Sequence, residues 1–261
     1  MQLLVSVRSA DEVEPALAGG ADIIDAKEPD RGSLGPVDRG VLSRILQRVP
    51  DDCGVSMALG DVTRPDEVLA AVHGLELPQR ASPMYLKLGF AGVRSPDQIG
   101  SLIEIAVSVT SVMAAAPRLV AVAYADPEQA KTIPPALIPP LAQAAGAAGV
   151  LLDTHGKDGR GLLEWLPPGA LVDWVDLARQ AGLLAALAGS LRRRDLALVC
   201  RAQPDVLGIR GAACSGGRGG QVSEDRVRRF RLALEWAVRE TRDTGAISSR
   251  PTAAKYRKLN T

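Results

Sequence analysis

Lysine is rare in this chain, and half of its lysines follow short apolar runs. Six of the 31 basic residues are lysines, and Lys27, Lys87 and Lys157 each lie at or just past the end of such a run. The other three lie in polar segments, where a solvated charge is the default. A lysine that is buried or close to another cation has a lowered pKa and can act as an amine nucleophile or general base near neutral pH. These three lysines therefore predict amine chemistry on a carbonyl compound.

Carboxylates accompany these lysines. Asp25 precedes Lys27 by two positions, which places both side chains on one face of a strand. Asp153 ends another apolar run, and His155 and Lys157 follow it in the next loop. A structural ion-pair network is the alternative interpretation, but buried ion pairs often give little net stability. Because ionisable groups with perturbed pKa values cluster at functional sites, we favour an active site.

Eight short apolar runs, each followed by a helical pattern, position these residues. Buried parallel strands appear as continuous apolar runs, and eight strand–helix pairs in about 240 residues indicate a single-domain (β/α)8 TIM barrel, an α/β fold. A doubly wound open sheet would normally carry a glycine fingerprint after the first strand, and the sequence has none there. We assign residues 1–243 to the barrel catalytic domain and the polar residues 244–261 to a mobile tail. The strands are predicted at residues 3–7, 22–27, 54–59, 84–88, 118–124, 149–153, 183–188 and 206–209, and the last two helices at 191–201 and 224–239.

Active sites of such barrels lie at the C-terminal ends of the strands. The strand-end residues should therefore converge at one mouth of the barrel. We expect a site built from Ser6, Asp25, Lys27, Lys87 and Asp153, with His155 and Lys157 in the loop beyond. Ser6 and His155 are assigned to substrate binding.

Two glycine-containing turns predict a phosphate site. Gly189 and Ser190 follow the seventh strand, and Arg210, Gly211 and Ala212 follow the eighth, just before a glycine-rich stretch. The loops after strands seven and eight are the recurrent phosphate site of barrels, because small residues let backbone N–H groups approach the anion. The side chain of Arg210 could bind phosphate through two N–H groups, or it could form an ordinary ion pair.

Six segments, in order along the chain, resemble one enzyme family. The chain is similar to (5-formylfuran-3-yl)methyl phosphate synthases, which make the furan precursor of methanofuran in methanogens and of its counterpart in methylotrophic bacteria. The resemblance covers nearly the whole chain up to about residue 240. It rests on LLVSV at 3–7, AGGADIIDAKEP at 18–29, GSLG at 32–35, YLKLG at 85–89, LDTHGKDG at 152–159 and AGSL at 188–191.

The resemblance implies a reaction and a role for each candidate residue. Such enzymes are barrels that condense two molecules of glyceraldehyde 3-phosphate, with loss of one phosphate and two waters. By the family pattern, Lys27 is the Schiff-base lysine and Lys87 the proton acceptor. Asp25, Asp153 and Lys157 support them. An iminium at Lys27 supplies the electron sink, so that we expect no metal and no bound cofactor.

Composition excludes several other functions. A net charge of +1 and 3% aromatic residues argue against nucleic-acid binding, although Arg192, Arg193 and Arg194 form a basic run. The sequence has no uninterrupted apolar stretch of the roughly 20 residues that span a bilayer, and Met1 leads directly into the first strand. We therefore expect a cytoplasmic protein whose partner is a small molecule, neither nucleic acid nor membrane. We also expect a homo-oligomer.

Two alternatives remain open from the residues. The chain could be another Schiff-base barrel that stops at an aldol product of triose phosphates. It could also be a non-catalytic barrel that binds a phosphate ligand. The second alternative gives no reason for three lysines at strand ends, because a sensor does not need several amines of low pKa.

Overall fold

Eight parallel strands close into a barrel in chain order. The computed structural model describes residues 1–156 and 158–243. Each strand pairs with the next one along the chain, and β8 pairs with β1 through Leu3 and Leu207, which closes the ring. This confirms the predicted (β/α)8 barrel. The strands are β1 (Gln2–Val7), β2 (Ile23–Ala26), β3 (Gly54–Asp61), β4 (Met84–Gly89), β5 (Arg118–Tyr124), β6 (Gly149–Asp153), β7 (Leu184–Leu187) and β8 (Val206–Ile209).

Helices between the strands form the outer layer. Proline opens several of them, as at Pro65 and Pro96, because the first turn of a helix needs no backbone N–H from that residue. Among the described residues, every helix is too short or too polar to cross a lipid bilayer. The helices are α1 (Val13–Ala18), α2 (Arg39–Arg48), α3 (Pro65–Val72), α4 (Pro96–Ser111), α5 (Pro127–Ala130), α6 (Ile138–Ala144), α7 (Leu162–Trp165), α8 (Pro168–Gln180), α9 (Leu196–Val199) and α10 (Glu224–Asp243).

The strands are buried on both faces, which explains their continuous apolar runs. Outward-facing side chains such as Val5, Ile24 and Leu152 pack against the helices in the larger core. Inward-facing side chains, among them Ile23 and Val122, form a smaller core inside the barrel. The alternation of side chains along each strand produces these two layers.

The structure corrects one predicted helix and adds a hairpin. Residues 191–201 do not form one helix: a 3-10 turn at Arg193–Asp195, the short α9 and a 3-10 turn at Cys200–Ala202 replace it. The Asp195 side chain accepts a hydrogen bond of 2.8 Å from the Arg192 N–H, which caps a separate first turn. After β8 the chain forms an antiparallel hairpin of β9 (Cys214–Ser215) and β10 (Gln221–Val222), whose strands are too short to show a pattern in the sequence. The predicted tail, 244–261, lies outside the described residues.

A buried ion pair joins the two ends of the barrel sequence. Glu12, in the 3-10 turn Ala10–Glu12 after β1, accepts hydrogen bonds from both terminal nitrogens of Arg210, just after β8. Glu12 is 4% exposed and Arg210 is 7% exposed. A buried charge that loses its partner is strongly destabilising, so this pair holds the β8 loop against the β1 loop.

Substitution of Glu12 tests this role. We expect Glu12→Gln to lower the free energy of unfolding by about 3–5 kcal/mol, because Arg210 then remains charged and buried without its carboxylate. Arg229→Gln is the control, since it removes an exposed ion pair with Asp225, and it should cost at most about 1 kcal/mol. Urea unfolding measures both values. Equal losses in the two variants would contradict the assignment.

Candidate active site

The inward-facing rows of side chains change from apolar to charged toward the C-terminal ends of the strands. On β2, Ile23 belongs to the interior core, Asp25 follows it two positions later, and Lys27 continues the row just beyond the strand. On β4, Tyr85 is followed in the same way by Lys87. Because alternate residues share a face, the strands themselves aim these groups at the barrel mouth.

Lys87 and Asp25 form a buried ion pair across an intervening strand. The Lys87 Nζ lies 2.7 Å from the Asp25 Oδ1, and the hydroxyl of Ser6 on β1 donates a 2.7 Å hydrogen bond to the Asp25 Oδ2. Strand β3 lies between β2 and β4. Its small inward residues, Ser56 and Ala58, leave room for the Lys87 side chain to reach Asp25.

The environment keeps Asp25 ionised. Asp25 is completely buried, and burial alone would raise its pKa. The positive charges of Lys87 and Lys27, with the hydrogen bonds from Lys87 and Ser6, outweigh that effect and lower the pKa below its ordinary value. The site therefore contains an ionised carboxylate beside Lys87 at neutral pH.

Lys27 forms an ion pair with a different carboxylate, that of Asp153. Its Nζ lies 3.8 Å from the Oδ2 of Asp153, at the end of β6. The backbone N–H of Thr154 donates a 2.7 Å hydrogen bond to the other oxygen of Asp153, which fixes the carboxylate. Lys27 is 8% exposed, and its backbone N–H bonds the carbonyl of Val7 on β1. The Lys27–Asp153 and Lys87–Asp25 pairs thus face one interior.

A cavity of about 930 Å³ opens from these pairs to the surface. On the side of β7 and β8, its wall includes the small residues Ala186, Ala188 and Gly208, together with Val206. On the other side of the barrel, the larger Tyr124 fills the interior. The cavity is therefore off-axis, and it brings together most of the predicted residues: Ser6, Asp25, Lys27, Lys87, Asp153, Gly189, Ser190, Arg210, Gly211 and Ala212.

The predicted phosphate turns lie on this wall. Gly189 adopts a φ of 101° and Ser190 a φ of 52°. Left-handed backbone is unusual for serine, and strain of this kind occurs at binding sites. A Cβ on Gly189 would approach the Thr154 Cγ2 to 3.0 Å. Gly211 and Ala212 lie in the 3-10 turn Gly211–Ala213 after β8. The fold thus brings both turns to one cavity, as the sequence predicts.

Arg210 takes the second of its two predicted roles. Besides the ion pair with Glu12, its guanidinium donates to the carbonyl oxygens of Ser6, Arg218 and Gly220 at 3.0, 3.1 and 2.6 Å. A guanidinium has five N–H groups, and these contacts engage all five. Arg210 therefore acts as a structural ion pair in the cavity wall and has no donor left for a phosphate.

A network that the sequence did not predict holds the loop after β6. The side chain of Asp126, just after β5, accepts 2.7 Å hydrogen bonds from the backbone N–H groups of both His155 and Gly156. The His155 ring packs edge-to-face on Tyr124 at 5.2 Å. Tyr124 in turn donates a 2.7 Å hydrogen bond to Asp61 at the end of β3. The structure thus places His155 beside Tyr124, away from the described cavity lining, and its role in substrate binding stays a prediction.

Lys157 lies outside the described residues. Arg218, in the glycine-rich stretch after β8, lines the cavity and was not predicted. An arginine flanked on both sides by two glycines is a signal that could have identified it.

The fold and the cavity define the class of this protein. It is a (β/α)8 barrel in which, among residues 1–156 and 158–243, the Lys27–Asp153 and Lys87–Asp25 pairs are buried at the C-terminal mouth. A family model described as 4-HFC-P synthase matches residues 3–231, and the chain belongs to this family. The resemblance noted in the sequence is thereby confirmed.

Curated relatives match about nine tenths of the chain. The (5-formylfuran-3-yl)methyl phosphate synthase of Methanothermobacter thermautotrophicus is 37% identical over 90% of this chain and 99% of its own length. That of Methanocaldococcus jannaschii is 34% identical over 88% of this chain and 98% of its own length. Among solved structures, a 3-hexulose-6-phosphate synthase superposes with a TM-score of 0.55 at 18% identity, covering 90% of this chain and 100% of its own. This last likeness supports the fold alone.

The lowered pKa of Asp25 predicts a pH dependence of stability. Asp25→Asn should be less stable than the wild type by about 3–5 kcal/mol near pH 7, because Lys87 loses its carboxylate. Since the folded-state pKa is lowered, the contribution of Asp25 is complete above about pH 4 and is lost as the pH falls through the folded-state pKa. The difference between wild type and variant should therefore shrink below about pH 4.

Urea unfolding from about pH 3 to about pH 7 measures this difference. Asp11→Asn, which alters an exposed aspartate, is the matched control and should follow the wild type closely. A difference for Asp25→Asn that stays constant across the range would contradict the coupling between Asp25 and the lysines.

Proposed function

We propose that this chain catalyses the formation of (5-formylfuran-3-yl)methyl phosphate for the biosynthesis of a methanofuran-type one-carbon cofactor. Its curated relatives carry the name of this activity. One observation carries the proposal: Lys27 and Lys87, each paired with a carboxylate, line a single cavity in a chain of this family.

The proposed reaction condenses two molecules of glyceraldehyde 3-phosphate. One inorganic phosphate and two waters leave, so that the six carbons and the remaining phosphate appear in the furan product. The sequence of steps is isomerisation of one triose, aldol addition to the second, elimination of phosphate and dehydration. Each step needs an electron sink or a proton donor at a defined place.

Lys27 is the nucleophile of this proposal. Its amine adds to the carbonyl carbon of a triose phosphate, and loss of water gives an iminium that withdraws electrons from the neighbouring carbon. The carboxylate of Asp153, 3.8 Å from the Lys27 Nζ, compensates the positive charge that the iminium retains. In a buried cavity such a fixed opposite charge stabilises the intermediate more than water would.

Lys87 is the proton carrier. Its Nζ lies 2.7 Å from the Asp25 carboxylate, and in this proposal Lys87 enters the cycle as an acid. It donates a proton to the oxygen that leaves as water during imine formation. The neutral amine that remains then accepts the proton from the carbon next to the iminium. This proton returns Lys87 to the charged form, beside the carboxylate of Asp25.

The glycine turns after β7 and β8 bind the phosphate of the substrate. Gly189, Ser190, Gly211 and Ala212 line the cavity and offer backbone rather than bulky side chains to an anion. Lys157 keeps the supporting role that the family implies. The homo-oligomeric state and the cytoplasmic location stay predictions.

Borohydride trapping tests the covalent step. Protein incubated with glyceraldehyde 3-phosphate and reduced with borohydride should carry a triose-phosphate adduct on the peptide that contains Lys27, as peptide mass mapping would detect. Lys27→Arg keeps the charge beside Asp153 but lacks a primary amine, so both the adduct and the product should fall by more than about 10³-fold. Lys131→Arg is the control, because Lys131 is exposed at the end of α5, and it should behave as wild type.

The product separates this proposal from the two alternatives. A furan aldehyde absorbs in the near ultraviolet, whereas a simple aldol product does not. Adduct formation without such absorbance would indicate an aldolase. Substrate consumption at an unchanged rate in Lys27→Arg would overturn the Schiff-base mechanism, and no consumption by the wild type would indicate a binding protein.

A further inference from the structure

The loop between β9 and β10 carries one side chain among four glycines. Residues 216–220 read Gly-Gly-Arg-Gly-Gly, and the side chain of Arg218 lines the active-site cavity. Gly216 and Gly217 adopt φ angles of 82° and 79°, which glycine reaches without strain. We call residues 216–220 the Arg218 loop. Because its other four residues are glycines, Arg218 has the only side chain of this loop that could contact a ligand.

Two arginines hold the backbone of the Arg218 loop. Arg210 donates from Nε to the carbonyl of Arg218 at 3.1 Å and from Nη2 to that of Gly220 at 2.6 Å. Arg8, beyond β1, donates to the carbonyl of Gly219 at 3.3 Å. Arg210 is itself held by its buried ion pair with Glu12. The backbone that carries the Arg218 side chain is therefore held in place.

The guanidinium of Arg218 bridges the cavity mouth to the loop after β2. Its Nη2 donates to the carbonyl oxygens of Pro29 at 2.9 Å and Gly32 at 2.5 Å. Both acceptors are neutral and lie in the segment that directly follows Lys27. Within residues 1–156 and 158–243, the Nε and Nη1 atoms have no hydrogen-bond partner and Arg218 forms no ion pair. Three N–H donors therefore remain for a ligand.

The position of Arg218 suits an anion rather than a neutral ligand. Burial lowers the pKa of its guanidinium, and the charges of Asp153, Asp30 and Glu28 offset this effect only in part. The Arg218 backbone lies beside the β8 turn: a Cβ on Gly211 would be 3.7 Å from the Arg218 nitrogen. The cation and the predicted phosphate turn therefore share one part of the cavity wall.

We propose that Arg218 binds the phosphate monoester of the substrate and holds it at the cavity mouth above Lys27. A phosphate dianion is a stronger acceptor than a carbonyl and takes two N–H groups of a guanidinium at once. The ion pair replaces the neutral contacts to Pro29 and Gly32 or adds to them through Nε and Nη1. This inference rests on the proposed function only in that it requires a phosphorylated substrate.

Titration with inorganic phosphate tests the binding site without requiring turnover. Calorimetry on the full chain should show phosphate binding to the wild type, weakened about 10- to 100-fold in Arg218→Gln because a charge-assisted contact is lost. Arg218→Lys should lie between the two, since it keeps a point charge but not the two-donor geometry. Arg179→Gln is the matched control: Arg179 also donates to a backbone carbonyl, that of Gln203 at 2.9 Å, but lies in α8. It should bind phosphate as the wild type does.

A pair of aldehydes separates phosphate binding from a purely structural role. Borohydride trapping at Lys27 should fall about 10- to 100-fold with glyceraldehyde 3-phosphate in Arg218→Gln, measured below saturation. Trapping with glyceraldehyde, which lacks the phosphate, should change little. A loop that merely lost its support would affect both aldehydes equally.

The outcomes distinguish this inference from the proposed function. Unchanged phosphate affinity in Arg218→Gln, or no phosphate binding by the wild type, would overturn the role of Arg218, as would equal losses with both aldehydes. If the wild type forms neither adduct nor furan, the proposed function fails. The phosphate titration then still decides whether Arg218 binds the anion.

Discussion

The burial of Lys27 and Lys87 at the centre of a barrel is the constraint on which the rest of this structure depends. An isolated ammonium group cannot remain charged in an apolar interior, so each lysine needs a carboxylate. Asp25 and Asp153 supply them from β2 and β6. The remaining carboxylate oxygens need donors too, and Ser6 and the backbone of Thr154 provide these. The chemistry at the mouth thus determines residue types on strands far apart in sequence.

The shape of the interior follows from the distribution of large and small inward side chains. Tyr124 fills one side of the barrel, whereas Ala186, Ala188 and Gly208 leave the side of β7 and β8 open. The glycine turns lie on that open side. The cavity therefore extends from the buried lysines to the two glycine turns. In the proposed function, the reactive carbon of the substrate lies at the lysines and its phosphate at the turns. The uneven distribution of large and small side chains therefore places the open part of the cavity on the side of β7 and β8.

Short-range patterns in the sequence predicted the positions of strands and the faces on which their side chains lie. The predicted strands at 118–124, 149–153 and 206–209 coincide with β5, β6 and β8, because buried parallel strands are continuous apolar runs. The alternation of side chains likewise placed Asp25 and Lys27 on one face. Contacts between distant segments could not be predicted in this way. Glu12 meets Arg210 across 198 positions, and the cradle that Asp126 forms for His155 and Gly156 depends on the neighbouring positions of β5 and β6.

Arg210 and Arg218 show why residue type and loop position do not by themselves identify a ligand-binding arginine. Both follow β8, eight positions apart, and both line the same cavity. All five N–H groups of Arg210 are engaged by Glu12 and backbone carbonyls, so it stabilises the loop. Arg218 has two neutral acceptors and, within the part of the chain that the structure describes, three donors without a partner. The partners that the fold supplies therefore decide which of the two cations is available to a substrate.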